Sequence, residues 1–452
     1  MAKSFFIKTM GCQMNVYDSD AMARCLIDRG YSRTDRPENA DVILVNTCTV
    51  RKKPEQKALS FLGRMLSIKK RKPALILGLT GCLAQQEGRA LKQRFPELDL
   101  VAGPRETGRI GELIDLIGEN PGCILATRMD VPVRRPVDCS GYSGGRVAEF
   151  VSIMEGCNNF CSYCIVPYVR GRERSRPPED ILLEARRLVN EGVREITLLG
   201  QNVNSYAREE GQWNFPRLLR EMGRMEDLKR LRFTTSHPKD LSDELIGCFG
   251  EVESLCPHIH LPFQAGADPV LERMGRGYTR RRYLERVERL RNVRSDIAIT
   301  SDVMVGFPGE TDRDFQMTLD LVRCVRFDGL FSFKYSDRRG TRAAKMDRKV
   351  GPEKKSERLA MLQTVQKTIT LEKNRGLEGA RVEVLVEGRS KKGARLRGRT
   401  GTNKVVNFNC DSREIGNIIN VTIERAFPNS LQGRVDGPWN PGEARAFHVC
   451  RN

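Results

Sequence analysis

The sequence predicts an α/β protein in three parts: an amino-terminal parallel α/β domain, a central partial (β/α)6 barrel and a small antiparallel β-barrel at the carboxyl end. Three observations carry this expectation. Short apolar runs alternate with helical segments through residues 1–120, and six further strand-like runs separated by helical segments occupy residues 147–375. Residues 376–436 then change texture, to short alternating runs broken by Gly, Asn, Asp and Ser.

In the first part, FFIKTMG leads into a helix from about Val16 to Arg29, and DVILVNT into one from about Pro54 to Ile68. ALILGLTG precedes a helical segment near Ala90 to Phe95, and LDLVAG one near Thr107 to Leu116. This repeat is that of a parallel sheet with right-handed crossovers. Cys12, Cys48 and Cys82 each stand just after one of the first three strands, in MGCQMN, VNTCTV and TGCLAQ. Open parallel sheets bind ligands beyond the carboxyl ends of their strands, so residues far apart in sequence can meet there. Three small buried hydrophobes are the competing account, because free cysteine packs well.

Residues 121–146, containing MDVPVRRPVDCSGYSGGR, read as a linker. The strand-like runs EFVSIMEG, EITLLGQN, LRFTTSHP, HIHLPFQ, AITSDVMVGFPG and GLFSFKYS follow, with helices at about Asp180–Glu191, Tyr283–Val293 and Asp312–Val325 among those between them. A partial barrel of this kind places its site at the carboxyl ends of the strands. The first of these runs leads into EGCNNFCSYCIVPY, with Cys157, Cys161 and Cys164 and no fourth cysteine before Cys248. A zinc ribbon wants a second CxxC pair roughly fifteen to twenty residues away, so zinc is disfavoured. Disulfide frameworks belong to small secreted chains, whereas MAKSFFIKTMGC has no secretory apolar core. Reduced thiols in a cytoplasmic protein are expected.

Strand-end position also selects Gly200, Gln201 and Asn202 in LLGQN, Gln264 in HLPFQAGA, and Asp302, Gly306 and Phe307 in SDVMVGFPGE. Turn geometry is the alternative for the glycines. His258 and His260 share a strand face and could bind metal, although satisfied structural histidines account for them better. Cys25, Cys123, Cys139, Cys248, Cys256, Cys324, Cys410 and Cys450 show no ligand spacing.

The net charge of +19, from 77 basic against 58 acidic residues, favours a polyanionic partner, with nucleic acid the leading candidate. YVRGRERSRPPED sets Arg170, Arg172, Arg174 and Arg176 at every second position beside the three cysteines, where a phosphate backbone or solvent alone could meet them. A charged helix from about Glu353 to Arg375 leads into the last part, where RVEVLVEG, ARLRGRT, KVVNFN, IINVTI and SLQGRV make about five strands. Arg389, Lys391, Lys392, Arg395, Arg397, Arg399 and Lys404 crowd its turns, as in small barrels that bind single-stranded RNA. Residues 437–452 form a tail without a pattern. No apolar run reaches the roughly eighteen residues of a membrane span, so no membrane association is expected, and the chain is expected to be a monomer.

The C-x3-C-x2-C spacing, with the aromatic Tyr163 before the third cysteine, resembles that of the radical S-adenosylmethionine enzymes. In that superfamily a 4Fe-4S cluster takes three thiolates and leaves one iron for the amino and carboxylate groups of S-adenosylmethionine. The segment carrying Cys12, Cys48 and Cys82 is similar to the amino-terminal domain of the methylthiotransferases, which holds an auxiliary 4Fe-4S cluster, and GRTGTNKVVNF with IERAFPNSLQG resembles a TRAM RNA-binding domain. The resemblance spans about residues 1–435. It implies cofactor contacts from Tyr163, Gly200, Gln201, Asn202, Gln264, Asp302, Gly306 and Phe307, two clusters, two S-adenosylmethionine molecules per turnover, and an electron donor such as flavodoxin or ferredoxin. HLPFQAGA departs from the commoner HLPVQSGS, so no serine hydroxyl is available at that turn. NTCTVRKKPEQK, LLGQNVNSY, RFTTSHP and NKVVNF are most similar to the family members that methylthiolate C2 of a prenylated adenosine beside the tRNA anticodon. Relatives acting on threonylcarbamoyladenosine or on a ribosomal protein are the alternatives, with a non-catalytic RNA-binding or electron-carrying protein as a third.

Overall fold

The strands of the amino-terminal sheet all run the same way. In the computed structural model, which describes residues 3–49, 52–119, 122–129, 145–207, 211–390, 393 and 395–436, their spatial order is Ser32–Arg33, Ser4–Met10, Val42–Thr47, Ile76–Gly81, Leu100–Ala102 and Ile124–Ala126. The winding reverses between Ser4–Met10 and Val42–Thr47, and such a reversal opens a crevice at the carboxyl ends of the two strands. Val42–Thr47 is buried at all its positions, as a central parallel strand is. Ile124–Ala126, placed in the linker by sequence, pairs with Leu100–Ala102.

The helices of this domain are Gln13–Ile27, Lys52–Arg71, Cys82–Arg94 and Ile110–Glu119. The third begins at Cys82 itself, well before the expected Ala90. Gly81 sits at φ +90°, and a Cβ there would strike Asn46 Oδ1. The strand therefore passes into the helix without a loop, and its polar opening turns, CLAQQEGR, hid it from periodicity.

The central strands form two parallel sheets in chain order, Ala148–Ser152, Glu195–Leu199 and Arg230–Phe233, then His258–His260, Ala298–Val305 and Gly329–Lys334. A parallel bridge between Leu231 and Leu255 joins them into one open six-stranded series. One apolar cluster fills the space under the helices, with Phe233, Phe263, Tyr283 and Phe327 fully buried. Helix Asp312–Val325 lies where expected.

The last part is a closed barrel of Arg381–Arg389, Leu396–Thr400, Val405–Phe408, Leu431–Val435 and Ile418–Ala426. Its pairs are antiparallel except one. Leu431–Val435 folds back on Ile418–Ala426 and closes against Val405–Phe408 in parallel.

Two sets of contacts fix how the parts meet. Arg230 and Arg232 are buried and donate to the carbonyls of Arg399 (2.5 Å), Thr400 (2.8 Å) and Gly401 (2.8 Å), while Arg232 pairs with Glu195. Lys404 reaches Asp328, just ahead of Gly329–Lys334. The small barrel thus seats under the amino ends of the central strands. The amino-terminal domain instead bridges the two edges of the strand series, through Asp18–Arg170 and Asp20–Arg146 on one side and Glu55–Arg338 on the other. Among the described residues no helix is long and apolar enough to cross a membrane.

Candidate functional site

Beyond the first central strand the chain turns at Gly156, at φ +75°, where a Cβ would run into the Arg172 carbonyl. That close approach pins the cysteine loop: Cys157 N–H donates to Gly171 O (3.2 Å), Cys164 N–H to Cys161 O (3.0 Å) and Ser162 N–H to Met274 O (2.8 Å). Arg276, 4% exposed, reaches this loop from the segment after helix Asp268–Met274. Its Nη1 lies 3.5 Å from Cys161 Sγ and 3.4 Å from the Tyr163 hydroxyl, and Nη2 donates to Pro262 O. No carboxylate pairs with it among the described residues.

His237 Nε2 stands 4.0 Å from Cys161 Sγ. Its Nδ1 accepts from Lys239 N–H, so in the neutral ring Nε2 carries the hydrogen toward sulfur. Burial, with Arg276 and Lys239 nearby, holds it neutral by keeping its pKa far below the usual range. Burial pushes the thiol of Cys157 up to about 11 and that of Cys164 up to about 12. These thiols stay protonated unless a metal displaces the proton.

Cys12, Cys48 and Cys82 follow three neighbouring strands, and Cys48 N–H donates to Met10 O (3.0 Å). A hydrogen bond with Cys48 brings Cys12 down to about 6, with Arg170 assisting against burial. Burial raises Cys82, against the pull of Arg170. Cys82 packs on Ile165 and Val169, the segment directly after Cys164, so the two triads share a wall. Arg170 ends that short helix and pairs with Asp18 at 2.5 Å.

Among the described residues no three His, Cys, Asp or Glu side chains could enclose a single metal ion. His258 and His260 share the Thr300 hydroxyl at 3.2 and 3.1 Å. All-thiol donors at strand ends, each set beside a buried guanidinium, suit an anionic iron–sulfur cluster.

Of the other strand-end residues, Gln201 Oε1 and Asp302 Oδ1 are buried acceptors without a donor, open to a ligand's amino or hydroxyl groups. Asn202 is already used, donating to Asp240 (2.8 Å) and accepting from His237 N–H. Gly200 packs on Met154, and Gln264, at φ +65°, joins its backbone to Asp302 and Met304. The N–H of Gly306 donates to Glu310. Phe307 is fully buried edge-on against Tyr335, so as a direct cofactor contact it is corrected to a core residue.

The basic residues divide as well. Arg172, Arg174 and Arg395 are exposed. Arg170 is 3% exposed and paired with Asp18, which removes it from any RNA surface. Arg176 pairs with Glu184, Arg397 and Arg399 share Glu387, and Lys404 is held by Asp328 and Asn374 within the domain junction. Lys391 and Lys392 lie outside the described residues. Sequence reasoning missed Arg276, His237 and Asp18. The histidine in TTSHP, directly past a strand end, was a readable signal; an arginine in GRGY has no spacing to betray it.

Residues 4–103 match the model described as Uncharacterized protein family UPF0004, residues 151–322 the Radical SAM superfamily, and residues 375–435 the TRAM domain. The chain is 50% identical over 435 residues to the tRNA-2-methylthio-N(6)-dimethylallyladenosine synthase of Syntrophus aciditrophicus, covering 96% of this chain and 94% of that one. It is 49% identical to the synthase of that name from Geobacter sulfurreducens, covering 98% and 99%. Among solved structures, the radical S-adenosylmethionine methyltransferase TsrM of Kitasatospora setae superposes with a TM-score of 0.53 at 15% identity, over 73% of each chain. The cobalamin-dependent S-adenosylmethionine radical enzyme OxsB gives 0.51 at 11%, over 81% of this chain and 56% of that one. These two are likenesses of fold.

Proposed function

The chain belongs to the methylthiotransferase family of radical S-adenosylmethionine enzymes, and from that premise we propose that it exchanges the C2 hydrogen of a prenylated adenosine, beside the tRNA anticodon, for a methylthio group. The observation that carries this reading is the shared wall between the triads, with Cys82 packed on Ile165 next to Cys164. An aromatic C2–H bond yields to neither base nor nucleophile, so its replacement needs one site for hydrogen removal and an adjacent one for sulfur.

Two 4Fe-4S clusters and S-adenosylmethionine, when bound, supply homolytic removal of that hydrogen and delivery of a methylated sulfur. Cys157, Cys161 and Cys164 hold one cluster, with Arg276 balancing its charge. Cys12, Cys48 and Cys82 hold the other, beside Arg170. Gln201 and Asp302 offer their open acceptors to the amino and hydroxyl groups of the cofactor. The amino-terminal domain, clamped across the strand series by Asp18–Arg170 and Glu55–Arg338, shields the space between from water. Arg172, Arg174, Arg389 and Arg395 are the exposed cations left for RNA phosphates. A small flavoprotein or ferredoxin supplies electrons to a monomeric, cytoplasmic enzyme.

The test is 5′-deoxyadenosine release by the reduced, reconstituted protein with prenylated and unprenylated tRNA. Stimulation by the prenylated RNA alone is expected; equal release with both, or with threonylcarbamoyladenosine-bearing tRNA only, would overturn the substrate assignment.

A further inference from the structure

Tyr168 lies 46% exposed on a helix whose neighbouring Pro167 and Val169 are buried. Its ring meets Phe160 edge to face, with centroids 6.1 Å apart and planes at 86°. The Arg172 guanidinium stands 5.7 Å from the Phe160 centroid. Phe160 itself is half-buried between Cys157 and Cys161 at φ +44°, and Arg342 Nη2 holds its carbonyl at 2.6 Å. Neither ring belongs to an apolar core cluster; Phe160 sits within the hydrogen-bonded cysteine loop and Tyr168 on the short helix that follows it.

The surroundings are cationic. Arg172, Arg174 and Arg342 are exposed, and Lys239 reaches Asn159 at 2.6 Å. Exposed aromatic faces beside guanidinium groups are the means by which proteins hold unstacked bases of single-stranded RNA. A loop that turns one base out of its stack leaves that base's neighbour with a free face.

We propose that Tyr168, with Phe160 and Arg172, forms a stacking platform for an unpaired anticodon-loop base next to the target adenosine, holding the loop while the target enters the space between the triads. The platform rests on the tRNA reading above. It adds a base contact that is indifferent to the methylthiolation chemistry, since it needs only a π face and a nearby phosphate.

The experiment uses the reconstituted full chain and anticodon stem-loop RNAs carrying 2-aminopurine at each loop position flanking the target, read by fluorescence quenching and by binding affinity. One position should quench on binding. Tyr168→Ala should abolish that quench and weaken binding roughly five- to 150-fold. Tyr168→Phe should keep both, and an abasic nucleotide at the quenched position should erase the difference between Tyr168→Ala and wild type. The proposal is overturned if Tyr168→Ala, with iron and sulfide content unchanged, binds and quenches like wild type, or if its loss persists in full with every abasic RNA. Failure of the wild-type protein to bind any of these stem-loops would instead sink the tRNA reading itself.

Discussion

Arg170 and Asp18 meet at 2.5 Å with each side chain 4% exposed, across the seam between the amino-terminal domain and the barrel. The same guanidinium lies within electrostatic reach of Cys82, Glu155 and Cys12, which with Asp18 holds its pKa well above the ordinary value despite burial. Removing one member of a buried pair costs roughly 3–5 kcal/mol, because the other is left charged and unpaired. Arg170→Met should therefore lower unfolding stability by about that amount and reduce iron retention at Cys12, Cys48 and Cys82. Adding Asp18→Asn should restore part of the stability but not the iron. Denaturant unfolding and iron analysis of both variants check this.

The apo-protein should be labelled by iodoacetamide first at Cys12. Its hydrogen bond with Cys48 and the nearby Arg170 bring that thiol down to about 6, whereas burial holds Cys157 up at about 11 and Cys164 at about 12. Labelling of Cys12 should rise through pH 5 to 7 and level off, with the other two nearly silent at neutral pH. Peptide mapping across a pH series reads all three at once.

Arg276 places its charge on Cys161 with no carboxylate partner among the described residues. Arg276→Met should lose about half of the iron and essentially all 5′-deoxyadenosine formation, while the visible absorption of the other cluster remains. Full iron with full cofactor cleavage would show that Arg276 only packs.

Two residues that looked alike in sequence should behave differently with RNA. Arg395 is exposed, so Arg395→Ala should weaken tRNA binding and reduce the slope of log affinity against log salt by about 1. Lys404 is tied to Asp328 and Asn374, so Lys404→Ala should instead loosen the docked small barrel, read as faster proteolysis between residues 376 and 380, with the salt slope unchanged.

The contrast between those two residues shows what was legible. The parallel α/β pattern and the placement of Cys12, Cys48 and Cys82 just past three strand ends follow from apolar periodicity and from the rule that parallel strands end at the site, both of which are local in sequence; the spatial order of the strands does not. The helix at Cys82 escaped because its first turns are polar and its start depends on a single left-handed glycine. Whether a lysine or arginine faces solvent or a buried carboxylate is decided by residues far away, such as Asp18 for Arg170 and Asp328 for Lys404. Spacing carries no trace of such partners. The same holds for Phe307, whose strand-end position suggested a cofactor contact while the Tyr335 ring, reached only after the next strand, covers it.

Mass spectrometry of nucleosides from prenylated tRNA, incubated anaerobically with the reconstituted protein, S-adenosylmethionine and a strong reductant, reads substrate and reaction together. The expected product is a prenylated adenosine heavier by one methylthio-for-hydrogen exchange, absent when Cys12, Cys48 and Cys82 are replaced together by alanine. Release of 5′-deoxyadenosine with unmodified nucleosides, or product formation by the triple variant, would contradict it.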